Sequence, residues 1–284
     1  MSILITGATS GIGLEAVKHV LTHSDKHVIL GARSMEKGHS AKELLIESGG
    51  LDDESRLSVV ILDVANNESV VELSDWLSQQ NVKLTGLVNN AGIGGAQYEP
   101  SEVLNVNLHG VKRVFDACLP FLLPDAHVVN ISSGAGPSFM GNRSDDFLNV
   151  LLNPHVTWPD ILDCEATFLR NYEMESTAVL PTVYGFSKAC VNALTAWLAT
   201  KHPSMFINAC SPGFIDTKLT RPFLEPAQDP GSVGMHPPSY AMTVVSHLLF
   251  NKIPNRGHYF GSDAKRSPLD RYRSPGEPEF NGVS

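Results

Sequence analysis

Short apolar runs alternate with helical segments from the first residue to about Pro254, and no other feature of the sequence limits the fold as strongly. Within each run the apolar side chains are consecutive, which is typical of strands covered on both faces. Helices that connect such strands make right-handed crossovers, so the strands run parallel. We therefore predict an α/β fold, a doubly wound parallel sheet with helices on both faces and with ligands bound at the carboxyl ends of the strands.

The predicted elements follow this alternation. Strands are expected at residues 2–6, 28–30, 57–62, 84–89, 127–131, 205–210 and 257–260. Helices are expected at residues 12–22, 34–47, 69–79, 110–122, 184–200 and 236–249. Together they form one domain over residues 1–261. Residues 262–284 are polar and rich in proline, which favours a C-terminal tail that wraps the surface or frays.

One interval does not fit the simple alternation. Residues 134–181 lie between a strand and a helix, where an ordinary connection rarely exceeds about 12–15 residues. Within it, residues 159–174 carry apolar side chains at helical spacing, and Pro159 suits a first helical turn. We predict a helical insertion over the functional site, within the same domain.

The charge balance and the cysteine spacing exclude several classes of protein. With 21 Lys and Arg against 30 Asp and Glu, the formal net charge is −9, which disfavours a nucleic acid or an anionic membrane as the main partner. No apolar stretch approaches the roughly 18–20 residues of a membrane span. The cysteines are too far apart for a zinc knuckle, so we expect no metal and a reducing, cytoplasmic compartment. They are Cys118, Cys164, Cys190 and Cys210.

Two further clusters are interpreted as solvated surface. His19, His23 and His27 are spaced by four positions, as a zinc pair on a helix can be, but they lie at the far end of the first helix. The second cluster is basic and is interleaved with acidic residues of the tail. It consists of Lys265, Arg266, Arg271 and Arg273.

A glycine-rich turn joins the first strand to the first helix. It reads Thr6-Gly7-Ala8-Thr9-Ser10-Gly11-Ile12-Gly13. Glycines allow the backbone to approach a pyrophosphate, which is stabilised by the positive end of the helix. A tight turn without a ligand is the alternative, but the strand–turn–helix context favours a dinucleotide. The expected contacts are Gly7, Ser10, Gly11, Ile12 and Gly13.

The glycine spacing and five later motifs carry a family resemblance. The motifs are Asn89-Asn90-Ala91-Gly92, Asn107-Leu108-His109-Gly110, Ile131-Ser132-Ser133, Tyr184-Gly185-Phe186-Ser187-Lys188 and Pro212-Gly213-Phe214-Ile215-Asp216-Thr217. In this order the chain resembles the short-chain dehydrogenase/reductase family from Ile3 to about Phe260. The resemblance implies a Rossmann-like fold and a nicotinamide cofactor.

The Tyr184 and Lys188 pair is also interpretable from physical chemistry. Positions i and i+4 share one face of a helix, so the ammonium group can lie near the phenol. A free tyrosine titrates near pH 10, and a shift of about three units requires roughly 4 kcal/mol of preferential phenolate stabilisation. Lys188 and the positive nicotinamide of an oxidised cofactor are the expected sources. An exposed tyrosine beside a solvated lysine is the alternative.

The family resemblance implies roles for further residues. Ser133, the second serine of its motif, is expected to hydrogen-bond the substrate oxygen, and Asn107 to hold a water in a proton relay. Cofactor contacts are implied at the third strand end, the Asn-Ala-Gly turn and the later Pro-Gly loop. These contacts are Asp63, Val64, Asn90, Ala91, Gly92, Pro212, Gly213, Ile215 and Thr217, together with Tyr184 and Lys188.

The end of the second strand predicts the choice of cofactor. No acidic residue follows the strand until Glu36, so the ribose contact of an NAD-preferring member is missing. Arg33 offers a planar fork for the 2′-phosphate of NADP(H), with Ser34 and Lys37 nearby. A surface arginine without a ligand is the alternative. Ser10 stands where related carbonyl reductases often have a basic residue, which leaves the phosphate contact mainly to Arg33.

These observations predict an NADPH-dependent reductase that transfers hydride to a ketone, aldehyde or quinone, with Tyr184 as proton donor. The 51 positions from Ser133 to Tyr184 resemble the carbonyl reductase and salutaridine reductase-like branch. Two alternatives stay open, an NAD-dependent alcohol dehydrogenase and a dinucleotide-binding protein without turnover. The apolar stripe of the insertion predicts a monomer, because it needs the helix faces that pair in compact members. An apolar substrate pocket is expected from Phe139, Met140, Trp158, Phe214, Leu219 and Met235.

Overall fold

The computed structural model describes residues 1–95, 97–142, 146–174, 181–254 and 256–282. Within these ranges, seven parallel strands form one sheet in the order β3-β2-β1-β4-β5-β6-β7. The strands are β1 Ser2–Ile5, β2 His27–Ala32, β3 Leu57–Ile61, β4 Leu84–Asn89, β5 Leu122–Ile131, β6 Phe206–Cys210 and β7 Tyr259–Phe260. The predicted doubly wound parallel sheet is confirmed.

Helices cover both faces of the sheet. They are α1 Gly11–His23, α2 Met35–Glu47, α3 Asn67–Gln79, α4 Pro100–Leu104, α5 Gly110–Cys118, α6 Ala135–Gly141, α7 Asp146–Leu151, α8 Trp158–Met174, α9 Pro181–Lys201 and α10 Met242–Phe250. Apolar residues of α1, α2 and α10 form one core with the sheet, and those of α3, α5 and α9 form the other. Neighbouring β1 residues serve both cores, since Ile3 and Ile5 face one and Leu4 the other.

The predicted helix 110–122 is interrupted. A π-helical turn, Asn105–His109, joins α4 to α5, and α5 ends at Cys118. A 3₁₀ turn, Leu119–Phe121, follows, and its Pro120 has no backbone N–H with which to continue the α-helical hydrogen bonds. The fifth strand then begins at Leu122, five positions before the predicted start. The predicted last helix is likewise shorter, since Pro237 and Pro238 give a 3₁₀ turn, Pro238–Ala241, before α10.

The insertion consists of α6, α7 and α8, although residues 143–145 and 175–180 of its predicted span lie outside the described residues. Helix α8 packs on α9, where the ring of Phe168 stacks on that of Phe186 with centroids 4.1 Å apart. Its Glu165 carboxylate accepts a hydrogen bond from His109 at 2.7 Å. The long insertion helix therefore covers the outer side of α5 and α9. The shorter α6 is the part that lies beside the cleft described below.

The C-terminal tail is more ordered than the sequence suggests. Residue 266 pairs with the edge strand β7, and the backbone amide of Phe280 donates to the Arg266 carbonyl. Arg273 is only 8% exposed, so its assignment to a solvated cluster is wrong. Its guanidinium is held by Asp263 and by backbone carbonyls, which replace the water it loses on burial. Residues 283 and 284 lie outside the described residues.

Neither a membrane-spanning helix nor a metal-binding cluster occurs among the described residues. Among the described helices, none has both the length and the apolar character needed to cross a bilayer. In the described ranges no three His, Cys, Asp or Glu side chains meet in a group that could hold a metal ion. His19 and His23 stack on each other at the end of α1, and the ring of His27 bonds to the Ser2 and Ser58 hydroxyls. The four cysteines are buried and form no disulfide.

Candidate active site

The glycine turn after β1 is shaped by two left-handed residues. Gly7 and Gly11 have φ values of +61° and +55°, which residues with a Cβ rarely adopt. A Cβ on Gly13 would stand 2.5 Å from the Gly7 carbonyl oxygen, so only glycine allows α1 to begin this close to the turn. The Ser10 side chain does not cap α1 within the described structure, and the first turn contains no acidic residue. The helix N-terminus is therefore suited to an anion.

Hydrogen bonds connect this turn to the end of β4. The Thr6 hydroxyl accepts from the backbone amides of Asn90 and Ala91, both at 3.0 Å. In return, the Asn90 side chain donates to the carbonyls of Thr6 and Gly7 at 2.9 and 3.1 Å. The two loops are thus fixed to each other, and Gly92 follows directly on the same loop. A rigid pair of loops reduces the entropy lost when a dinucleotide binds.

The ends of β2 and β3 carry the candidate adenosine contacts. Arg33 is exposed and, in the part of the chain that the structure describes, forms no ion pair or hydrogen bond. The Ser34 hydroxyl caps α2 by accepting from the Lys37 amide at 3.3 Å. At the end of β3, the Asp63 carboxylate accepts from the Ala65 amide at 3.0 Å, and Val64 is buried. Arg33 is thus free to meet an anion.

Strand β5 and helix α9 bring Ser133, Tyr184 and Lys188 together. The Lys188 ammonium lies 5.5 Å from the centroid of the Tyr184 ring and donates to the Ile131 carbonyl at 2.8 Å. Ser133 is partly exposed, and its hydroxyl lies close enough to the Tyr184 phenol to lower the pKa of that phenol. Ser132 is buried, and its hydroxyl donates to the Lys188 carbonyl at 3.2 Å. Of the two serines, Ser133 is therefore the one that faces the cleft.

Burial dominates the ionisation of both helix residues. It raises the pKa of Tyr184 to about 12, which the hydrogen bond from Ser133 only partly offsets. Burial also lowers the pKa of Lys188 to about 8, against an opposing effect of the nearby Cys210. The expectation that Lys188 would lower the phenol pKa is therefore not met by the polypeptide alone. At neutral pH the phenol holds its proton and the lysine is mostly charged.

Asn107 is completely buried inside the π-helical turn. Its side-chain oxygen accepts from the Ile93 amide and its side-chain nitrogen donates to the Ile93 carbonyl, both at 2.9 Å. The same nitrogen lies 3.1 Å from the Ser187 hydroxyl on α9. A Cβ on Gly92 would stand 3.3 Å from the Asn107 oxygen and 3.6 Å from the Lys188 nitrogen. The π turn thus places Asn107 between the β4 loop and α9, close to Lys188.

The loop after β6 lies above the glycine turn. A Cβ on Gly11 would contact the Thr217 methyl group at 3.1 Å. Gly213 has a φ of +98°, and Pro212 and Ile215 are buried beneath the loop. All the predicted cofactor residues for which the structure gives positions therefore lie along one edge of the sheet, at the carboxyl ends of its strands.

A cleft of about 250 Å³ opens next to Ser133. Phe214 is the one residue of the expected apolar pocket that lines it. Phe139 and Met140 belong to the core below α9, and Trp158 packs on His109, so these three assignments to the pocket are wrong. Sequence reasoning missed the residues that the tail contributes, Tyr272, Arg273 and Pro275. Neither periodicity nor a motif singles them out, because the tail reaches the cleft only after it pairs with β7, the outermost strand of the sheet.

Comparisons with known proteins agree with this arrangement. The family model of the short chain dehydrogenases matches residues 1–144. A protein of Rattus norvegicus, carbonyl reductase [NADPH] 3, is 30% identical over 234 residues, which cover 77% of this chain and 83% of its own. The chain belongs to the short-chain dehydrogenase/reductase family. It is accordingly an oxidoreductase.

Other members of the family resemble it to a similar degree. The (+)-neomenthol dehydrogenase of Arabidopsis thaliana is 31% identical over 250 residues, covering 76% of this chain and 83% of the other. Among solved structures, salutaridine reductase from Papaver somniferum superposes with a TM-score of 0.76 at 24% identity, covering 91% of this chain and 98% of the other. At that identity the superposition supports the fold alone. Dinucleotide binding is common to this oxidoreductase family, and the anion-binding turn described above fits it.

Proposed function

We propose that this family member is an NADPH-dependent carbonyl reductase acting on a ketone, aldehyde or quinone of small size. The observation that carries the proposal is the convergence of Ser133, Tyr184 and Lys188 beside an open cleft. The Rattus norvegicus relative is named as an NADPH carbonyl reductase, which supports the same activity. When bound, NADP(H) supplies the hydride, and the residues of this chain supply orientation and the proton.

Tyr184 is the proposed proton donor. The phenol is protonated at neutral pH, as a residue that protonates a developing alkoxide must be. Ser133 is positioned to donate a hydrogen bond to the same oxygen and to stabilise its charge. Lys188 is oriented by the Ile131 carbonyl and holds a positive charge beside the phenol, which favours proton transfer from Tyr184 to the substrate. Asn107 positions the β4 loop next to Lys188 and is the proposed holder of a relay water.

NADP(H) is the proposed cofactor because the charges at the adenosine end suit it. The unpaired Arg33 fits a 2′-phosphate, and Ser34 and Lys37 stand at the same helix start. Gly7, Gly11 and Gly13 allow the pyrophosphate to approach the N-terminus of α1. Asp63 and the Asn90 loop are the proposed adenosine contacts, and the Pro212–Thr217 loop is the proposed nicotinamide contact.

The test is a titration followed by a turnover screen. The protein is titrated with NADPH and NADH in the absence of substrate, with cofactor fluorescence as the readout. Ketones, aldehydes and quinones are then screened by the loss of NADPH absorbance. Tight NADPH binding with turnover of at least one carbonyl is expected. Binding without turnover across the screen would instead favour a dinucleotide-binding protein without enzymatic activity.

A second candidate is an alcohol dehydrogenase that works with NAD. The name of the Arabidopsis thaliana relative, (+)-neomenthol dehydrogenase, favours it. Alcohol oxidation requires Tyr184 to accept a proton, which its high pKa opposes until the positive nicotinamide is bound. Oxidation of secondary alcohols with NAD at a higher catalytic efficiency than carbonyl reduction with NADPH would establish this alternative.

We propose that the protein is a cytoplasmic monomer. Helix α8 covers the faces of α5 and α9, with Lys112 placed 5.7 Å from the Trp158 ring and 5.4 Å from the Trp197 ring. These faces are then closed to a second subunit. Light scattering is expected to give the mass of one chain, and a stable tetramer would contradict the proposal.

A further inference from the structure

The tail returns to the active site after leaving the sheet. Residues 262–282, here called the C-terminal strap, follow β7 at the edge of the sheet and double back along it. The backbone amide of Ser267 donates to the Tyr259 carbonyl at 2.8 Å, which aligns the strap with β7. The strap then passes along the cleft beside Ser133, where Tyr272, Arg273 and Pro275 line it.

A buried arginine anchors the strap at this point. The Arg273 side chain is 5% exposed and pairs with Asp263. It also donates to the Ser267 hydroxyl at 2.9 Å and to the Glu277 carbonyl at 2.8 Å. A Cβ on Gly261 would lie 2.8 Å from the guanidinium, so the anchor occupies the space that this glycine leaves. Because the charge is buried and fully hydrogen-bonded, the backbone next to it is held in place.

The residue before the anchor lies against the active-site loop. A Cβ on Gly134 would stand 2.6 Å from a ring carbon of Tyr272, so the ring rests directly on the backbone that follows Ser133. At the far end of α6, a Cβ on Gly141 would stand 2.9 Å from the Asp270 carbonyl. Glycine at both ends of α6 thus permits the strap to approach. The Tyr272 side chain nevertheless remains 52% exposed, and its free side faces the cleft.

We propose that Tyr272 is a specificity-determining residue that stacks on planar, conjugated carbonyl substrates. The proposal rests on the carbonyl reductase function given above. Two exposed aromatic side chains line the same cleft, Tyr272 at 52% and Phe214 at 42%. Aromatic rings gain from offset or edge contacts with other rings beyond the area they bury. A volume of about 250 Å³ is at the small end for ligand pockets, which fits a substrate of one or two rings.

The experiment compares a substrate that contains an aromatic ring with one that contains no ring. The probes are 1,4-naphthoquinone and 2,3-butanedione, each reduced with NADPH. For Tyr272→Ala, the ratio of kcat/KM for naphthoquinone to that for butanedione is expected to fall about 3- to 10-fold, the range of one aromatic pair. Tyr272→Phe keeps the ring, and its ratio is expected to stay within about 2-fold of the unchanged protein.

A matched control separates stacking from strap stability. Phe280 is an aromatic residue of the same strap, packed against Arg266 and Arg271 and outside the cleft lining. Phe280→Ala is expected to leave the ratio of kcat/KM for naphthoquinone to that for butanedione, here called the substrate ratio, unchanged. An equal loss of ratio in Phe280→Ala and Tyr272→Ala would overturn the proposal, because the strap would then act only as a structural element.

A double-mutant cycle tests the contact itself. Gly134→Ala adds a methyl group where the Tyr272 ring lies and is expected to lower the substrate ratio by displacing the ring. In the Tyr272→Ala background the same substitution has no ring to displace, so no further loss is expected. Additive effects of the two substitutions would overturn the assignment.

An equilibrium measurement makes the result independent of turnover. Calorimetric titration of the NADP⁺-loaded protein with 1,4-naphthoquinone is expected to show a Kd that is about 3- to 10-fold weaker for Tyr272→Ala. Absence of naphthoquinone binding by the unchanged protein would overturn the specificity proposal. If the unchanged protein binds naphthoquinone in a Tyr272-dependent way but reduces no carbonyl, the reductase function fails and the stacking role stands.

Discussion

The buried group on α9 and the exposed end of β2 both serve the proposed cofactor site, yet they are built in opposite ways. Lys188 is 4% exposed, and a hydrogen bond to the Ile131 carbonyl holds its ammonium group beside the Tyr184 ring. Arg33 is exposed, and no partner within the described residues holds its guanidinium. The side chains of the first region are held in place by the protein itself, whereas the Arg33 side chain would gain its contacts only from a ligand.

The two regions differ because one is proposed to carry out the reaction and the other to select the cofactor. Charges and phenols in a dry site interact strongly but are costly to bury, so their positions must be supported by many contacts. An exposed arginine adds little to folding and can be exchanged without disturbing the core. We therefore expect substitution of Lys188 to alter rate and stability together, and substitution of Arg33 to alter cofactor preference alone.

The largest effect is expected from Tyr184→Phe. The change removes the proton donor but keeps the ring, so kcat should fall about 10²- to 10⁴-fold while NADPH affinity stays within about 2-fold. Steady-state turnover and a fluorescence titration measure the two quantities. Tyr172→Phe, which removes a phenol on α8 that packs against Phe168 and is not part of the cleft lining, should leave kcat unchanged. Retention of more than a few per cent of the activity in Tyr184→Phe would refute the assignment.

Lys188→Met is expected to couple a loss of function to a gain of stability. Burial lowers the pKa of Lys188 to about 8, so below pH 8 the folded protein holds a charge that the unfolded chain solvates better. Between pH 8 and about 10.4 the unfolded state binds more protons, so the free energy of unfolding rises with pH through this group. Lys188→Met lacks that rise. Its stability advantage over the unchanged protein should therefore shrink by roughly 2 kcal/mol from pH 7 to pH 10.

Urea unfolding at the two pH values measures this difference, and turnover and NADPH affinity should both decrease in the same variant. Lys201→Met is the matched control, since Lys201 is exposed at the end of the same helix. It should show no such pH dependence. A constant stability difference between Lys188→Met and the unchanged protein would mean that Lys188 stays charged over this whole range and that burial does not lower its pKa.

Arg33→Asp tests the opposite region. A charge-assisted contact contributes roughly 1.5–3 kcal/mol, so the preference for NADPH over NADH should fall about 10- to 100-fold or reverse. The free energy of unfolding should change by less than about 0.5 kcal/mol, because the side chain is exposed. Arg170→Asp, on the exposed side of α8, is the charge-matched control and should keep the preference. Equal catalytic efficiency with both cofactors in the unchanged protein would make Arg33 an ordinary surface residue.

The smallest effect is expected from Ser34→Ala. Loss of the helix cap should lower the free energy of unfolding by about 0.5–1 kcal/mol, and loss of a neutral hydrogen bond to the phosphate should lower the NADPH preference only a few-fold. Asn66→Ala removes the corresponding cap of α3, where the side chain accepts from the Ser69 amide. It should cost similar stability and leave the preference intact. The same loss of preference in both variants would show that Ser34 acts only through the helix.

Local pattern was sufficient to predict most of the framework. Runs of consecutive apolar residues predict where the strands lie in the sequence. The spacing of Tyr184 and Lys188 predicts that both side chains lie on one face of α9. Boundaries were less accurate where a single proline or a polar side chain decided them. The π turn around Asn107 is an example, because its geometry depends on hydrogen bonds to Ile93 and to Ser187, which are remote in sequence.

The sequence by itself determined the parallel sheet, the glycine turn and the edge at which the site lies, since each depends on periodicity or on residues within a few positions of one another. Only the tertiary structure decided that Arg273 is buried, that Tyr272 rests on Gly134, and that Phe139 belongs to the core. The physical reason is that these outcomes depend on packing between segments far apart in sequence. A polar segment such as the C-terminal strap becomes buried only where partners such as Asp263 satisfy its charges, and local sequence carries no record of that geometry.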